Sequence, residues 1–143
     1  MKEKIDLLGA AVYGPYSPGI KFNNSLWLSG QISPESGENI AEQTTGSLEK
    51  VDALLANAGF TKKDICFVQI LLDDIDDFTE MNRVYEQWLP NDVCFPARAA
   101  FQASKLPADA KIEIIVQAIR CVFLCQEALI LMISQKEYSH GQF

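Results

Sequence analysis

Between Ile65 and Asp74 the chain reads ICFVQILLDD, a nearly unbroken run of β-branched, aliphatic and aromatic residues closed by two aspartates. Such a run reads as a central strand buried on both faces. Helical periodicity lies on either side of it. Before it, Leu48, Val51, Leu54, Leu55 and Ala58 recur at helical spacing, which predicts a helix from about Ile40 to Ala58 with Gly59 as its stop. After it, Asp76 or Asp77 can cap a second helix whose apolar stripe is Phe78, Met81, Val84, Tyr85 and Trp88, and which Pro90 ends. A strand set between two amphipathic helices confines the chain to layered folds.

The outer segments narrow the choice. A short apolar stretch, Ile5 to Leu8, precedes IKF and LWLSG, two short strands around an Asn23-Asn24 turn that together predict a hairpin. A second turn follows in SPESGEN. ARAAFQAS and KIEIIVQAIR are two further strands, joined by the Leu106-Pro107-Ala108-Asp109 turn. The order is hairpin, helix, strand, helix, two strands. That predicts an α+β domain with one mixed sheet and both helices on one face. The other face then has apolar surface to hide, and self-association is the direct route.

At 143 residues the chain fits one domain. Its net charge of −7, from 19 acidic and 12 basic residues, argues against nucleic acid as the main partner, because that affinity comes from Lys and Arg neutralising phosphates. Cys66, Cys94, Cys121 and Cys125 form no C-x-x-C pair, and the single histidine, His140, is near the end, so no metal site is expected. No signal-peptide pattern opens the chain, and reduced thiols in the cytoplasm are the expectation. The segment CVFLCQEALILMI, residues 121–133, is almost wholly apolar but shorter than the roughly 20 residues that span a bilayer. It reads as an added strand or helix packed on the domain or on a partner subunit; a membrane-surface anchor would want a basic flank.

Several polar residues stand out singly. Arg98 lies among small apolar residues in FPARAAFQASKLP, where it either grips a carboxylate through two parallel hydrogen bonds or forms an intramolecular salt bridge. Glu113 alternates with Ile112 and Ile114, so it points to the face opposite theirs. There it is a solvated side chain on an exposed face, or, under another subunit, a buried carboxylate able to orient a water. Tyr16 is held between two prolines in GPYSP, suited to a lid over a ligand or to surface packing. Ser29 ends a strand just before a glycine, and Asn82 falls between Met81 and Val84 on the second helix.

Taken together, GPYSPGI…LWLSGQI, MNRVYEQWLP, PARAAF and LPADAKIEIIVQAI resemble the reactive-intermediate deaminase (Rid, or YjgF) family in order and spacing, over about residues 4–120. The resemblance implies a chorismate-mutase-like α+β fold assembled as a homotrimer, with active sites in the clefts between subunits. It implies hydrolysis of 2-imino acids such as 2-iminobutanoate and 2-iminopropanoate to 2-oxo acids and ammonia, without cofactor or metal. By resemblance, Arg98 binds the substrate carboxylate, Glu113 positions or activates water, Tyr16 covers the ligand, Ser29 lines the floor and Asn82 lies near the site. Many members carry a cysteine two residues after the arginine, where this chain has Ala100, a departure that bears on substrate preference. Residues 1–120 form the family-like domain and 121–143 an extension that matches nothing in the family. The rival expectations are a trimeric small-carboxylate-binding or regulatory module, and a ribonuclease or translation inhibitor, which the acidic charge disfavours.

Overall fold

A computed structural model describes residues 1–7, 9 and 14–121. Six strands form one sheet: β1 (Glu3–Ile5), β2 (Gly19–Phe22), β3 (Ser25–Gln31), β4 (Ile65–Leu72), β5 (Ala97–Gln102) and β6 (Ile112–Ile119). Their spatial order is β1-β2-β3-β6-β4-β5. Only β4 and β5 are parallel; the other pairings are antiparallel, so the sheet is mixed as expected. Two helices, α1 (Ile40–Ala58) and α2 (Phe78–Trp88), cover one face.

The hairpin forms where expected: Phe22 pairs with Ser25, and Asn23 takes φ 54°, a left-handed conformation that asparagine tolerates better than most residues. Helix α1 begins with a capping box, in which Glu42 N–H donates to Asn39 Oδ1 (2.9 Å) and Asn39 N–H donates back to Glu42 Oε2 (3.3 Å). It ends at Gly59, whose φ of 76° lets Phe60 N–H donate to Leu55 O (2.8 Å). Lys21 Nζ and Arg120 Nη1 reach the last carbonyls, at Ala58 (3.1 Å) and Gly59 (2.7 Å). Two cations thus meet the negative end of the helix dipole and tie it to β2 and to the end of β6. Leu48, Val51, Leu54 and Leu55 share one core with Ile70, Leu72, Ile112, Ile114 and Val116, all essentially without solvent contact. Burying each such side chain stabilises the domain by about 1.5–3 kcal/mol.

Three expectations need correction. First, β4 is buried on one face only: Val68, Ile70 and Leu72 are sealed, while Gln69 and Leu71 are half-buried and Cys66 is exposed. Both helices lie on the same side, so the parallel β4–β5 pair lacks the second layer that a doubly covered sheet has. Second, Asp77 occupies the cap position of α2 but makes no side-chain cap bond. A 3-10 turn at Ile75–Asp77 precedes the helix, and it is Asp74 Oδ1 that accepts from Asp76 N–H (2.9 Å). Third, Ser29 does not end its strand; β3 continues through Gly30 to Gln31.

The Leu106–Asp109 turn is present as a 3-10 turn at Pro107–Asp109, with positive φ at Ala108 and Asp109. The strands it joins are not neighbours, because β4 lies between them. The uncovered face carries Trp27 and Phe101, 45% and 44% exposed, with half-buried Phe67, Leu71 and Ile115. Among the described residues no helix is long and apolar enough to cross a membrane, and no cluster of His, Cys, Asp and Glu could hold a metal. Residues 122–143, and with them most of the apolar segment and the proposed extension, lie outside the described residues.

Candidate active site

The candidate residues fall into two groups on opposite faces of the sheet. The first belongs to β5 and α2. Strand alternation sends Ala97, Ala99 and Phe101 to the open face, and Arg98 and Ala100 to the helix side, where Ala100 packs against the core. Arg98 lies at the rim of a depression of about 390 Å³ lined by Asn82, Tyr85, Glu86, Leu89, Phe95 and Pro96. Its guanidinium carbon stands 4.9 Å from the centre of the Tyr85 ring and 5.8 Å from that of Phe78. The Trp88 indole N–H donates to both oxygens of Asp52 on α1, at 3.1 and 3.0 Å, which pins the end of α2 that carries Tyr85. Among the described residues Arg98 forms neither a salt bridge nor a side-chain hydrogen bond. Of its two sequence readings the intramolecular ion pair is not found among the described residues, and Arg98 instead lines the depression.

The second group belongs to β3, β6 and the Gly14–Pro18 loop. Ser29 Oγ donates to Ser17 O (2.7 Å) and Ser29 N–H donates to Pro18 O (2.9 Å). The hydroxyl thus straps the loop bearing Tyr16 to the sheet, and Tyr16 itself is 44% exposed. Between Leu28 and Gln31 the β3–β6 register slips by one residue, a bulge opposite Ile115. Gly30 sits in it. The Glu113 side chain lies directly against the Gly30 backbone, in the space any larger residue would need for its Cβ. Glu113 is half-buried, and this desolvation lifts its carboxyl above the ordinary glutamate range.

The two groups do not meet within one protomer. Glu113 is level with Phe101 through Leu71, so Arg98 is three residues farther along and two strands across. That amounts to roughly 14 Å between backbones, with the side chains on opposite faces. Gly30, Tyr85 and Phe78 were not singled out from the sequence as site residues. Tyr85 and Phe78 fitted an apolar helical stripe; the one signal was a hydroxyl in that stripe, which needs a partner when buried. For Gly30 the signal was a glycine inside a strand, which marks a bulge or a close approach.

The family model described as Endoribonuclease L-PSP matches residues 8–120. A RutC family protein of Pyrococcus horikoshii is 41% identical over 107 residues, spanning 71% of this chain and 83% of its own. A 2-iminobutanoate/2-iminopropanoate deaminase of Escherichia coli is 36% identical over 116 residues, spanning 77% and 91%. The crystal structure of E. coli TdcF with bound serine superposes with a TM-score of 0.76 at 32% identity, covering 83% of this chain and 99% of that one.

Proposed function

Because this chain belongs to the endoribonuclease L-PSP (Rid/YjgF) family, we propose that it hydrolyses reactive 2-imino acids to 2-oxo acids and ammonia, in clefts between the subunits of a homotrimer. The observation that carries this reading is the division of labour within one chain. On one face stands an arginine with no acceptor among the described residues, and on the other a half-buried carboxylate with a raised pKa and no cation paired to it among the described residues. Neither can serve the other inside a protomer, yet a neighbouring copy can bring them together, and the apolar open face provides a surface for that copy.

The chemistry asks little of such a site. Arg98 takes the substrate carboxylate through two parallel hydrogen bonds, with Asn82 beside it and the backbone at Ala100 near the ligand. The protonated imine carbon is already electrophilic. Glu113 accepts a proton from water as the oxygen bonds to that carbon and passes it to the nitrogen. The C–N bond then breaks as Glu113 takes the remaining hydroxyl proton, releasing ammonia and the 2-oxo acid, and that proton passes on to the ammonia or to solvent. Tyr16, on the loop strapped by Ser29, covers the ligand. A general base of this kind contributes roughly 10²–10⁴-fold. A catalytic Glu113 needs its ionised form, so kcat/KM rises with pH through the raised pKa of that carboxyl.

The test is ammonia release from freshly generated 2-iminobutanoate and 2-iminopropanoate by wild type, Arg98→Ala and Glu113→Gln. Strong acceleration by wild type and at most weak acceleration by either variant at low substrate is expected. Mixing the two impaired variants as co-assembled trimers restores roughly a quarter of the sites if each cleft takes its arginine and its glutamate from different subunits. No recovery would place both residues of a site in one chain and refute the shared cleft. Wild type that binds 2-oxobutanoate but releases no ammonia would favour a small-carboxylate-binding module, a reading to which the bound serine of the related TdcF lends weight. The endoribonuclease in the family's name finds little support in a net charge of −7.

A further inference from the structure

A carboxylate-binding arginine on an edge strand has a mechanical problem. Its side chain is long, it is exposed, and no described residue offers it an acceptor, so its rotamers are free to spread unless something else holds it. We propose that Tyr85, with Phe78 beside it, is the positioning residue for Arg98: the two rings form a shelf that carries the guanidinium at the rim of the depression and leaves its hydrogen-bond donors free for ligand. This rests on the reading of Arg98 as the carboxylate-binding group.

A cation over a ring face is attracted by the ring quadrupole without using any N–H. A protein carboxylate would hold the arginine equally well but would occupy the donors the ligand needs. The shelf is itself rigid. Tyr85 is 6% exposed and sits on a helix pinned to α1 through Trp88 and Asp52. The Tyr85 hydroxyl is buried and has no hydrogen-bond partner among the described residues, so it is the ring that supports Arg98.

The experiment compares wild type with Tyr85→Phe, Tyr85→Leu and Phe78→Leu, each with and without Arg98→Ala. Two signals are read: the NMR positions of the Arg98 side-chain protons, and calorimetric affinity for 2-oxobutanoate. In wild type the Arg98 Nε–H and δ-methylene protons are expected upfield of free arginine through the ring current, a shift that Tyr85→Phe keeps and Tyr85→Leu largely removes. Affinity falls roughly 5- to 30-fold in Tyr85→Leu, the span of a partly desolvated cation–π contact, and by less in Phe78→Leu. Tyr85→Phe binds as wild type. In the Arg98→Ala background Tyr85→Leu causes no further loss, which a purely structural role would not produce.

An unshifted Arg98 in wild type overturns the shelf without requiring any variant to fold. So does an equal loss of affinity with and without Arg98, or a loss in Tyr85→Phe as large as in Tyr85→Leu. If the ring-current shift is present but Arg98→Ala leaves affinity unchanged, the stack stands and the carboxylate reading is what fails.

Discussion

Gly30→Ala isolates the placement of Glu113 from everything else in the domain. An alanine Cβ would fall on the Glu113 carboxyl, Cδ and Cγ, closer than real Cβ contacts permit, so the glutamate side chain must swing away. The backbone has no reason to follow, because Gly30 is not among the glycines with positive φ and alanine can take its conformation. Replacing glycine where the backbone is compatible stabilises by about 0.4–1 kcal/mol through the unfolded chain. Releasing Glu113 from a half-buried position also removes a desolvation cost. The variant should therefore melt at or slightly above the wild-type temperature. Its turnover should nevertheless fall by roughly 10²–10⁴-fold, the value of a positioned general base. The assay is steady-state ammonia release from 2-iminobutanoate beside thermal melting, with Glu113→Gln and the double variant as references. The double variant should be no slower than Glu113→Gln alone, since the same function has been removed twice. Turnover within threefold of wild type would refute the claim that Gly30 makes room for a catalytic Glu113. A large fall in melting temperature would show instead that the bulge itself had been distorted.

Three other outcomes follow from the same geometry. Arg98→Ala should raise KM for 2-imino acids roughly 10- to 150-fold, the loss of a charge-assisted bond worth about 1.5–3 kcal/mol; Arg98→Lys should recover little, since an ammonium lacks the planar fork, and a KM unchanged in either variant counts against the carboxylate role. Glu113 keeps its proton in the folded state at pH values where the unfolded chain has lost it, so stability falls as pH rises from the ordinary glutamate pKa through the raised native one. Glu113→Gln should thus melt above wild type at neutral pH and converge with it below that window; melting curves that differ by the same amount at every pH would exclude the raised pKa. Trp27→Glu with Phe101→Glu puts charges on the open face and should reduce the mass by light scattering from that of the proposed homotrimer towards one chain; a trimeric mass unchanged by the substitutions would move the interface elsewhere.

Much of the fold was legible because it depends on short-range physics. The terminal glycine of α1, the Asn-Asn hairpin turn and the alternation of Ile112, Glu113 and Ile114 act over a few residues, where propensity and period decide. Burial of β4 was misjudged for the converse reason. An apolar run does not say how many layers cover it, and here both helices pack on one side, leaving Leu71 half-buried on the other. The family-like motifs named Arg98, Glu113, Tyr16, Ser29, Asn82 and Ala100, but not their relative places. That β6 inserts between β3 and β4, that Arg98 stacks on Tyr85, and that Glu113 folds against Gly30 all depend on pairings distant in sequence. By itself the sequence determined the elements and the chemical inventory, since local backbone preference and side-chain chemistry reside in the residues. Only the tertiary structure decided that the arginine and the glutamate lie on opposite faces, because strand order is set by how the whole core closes.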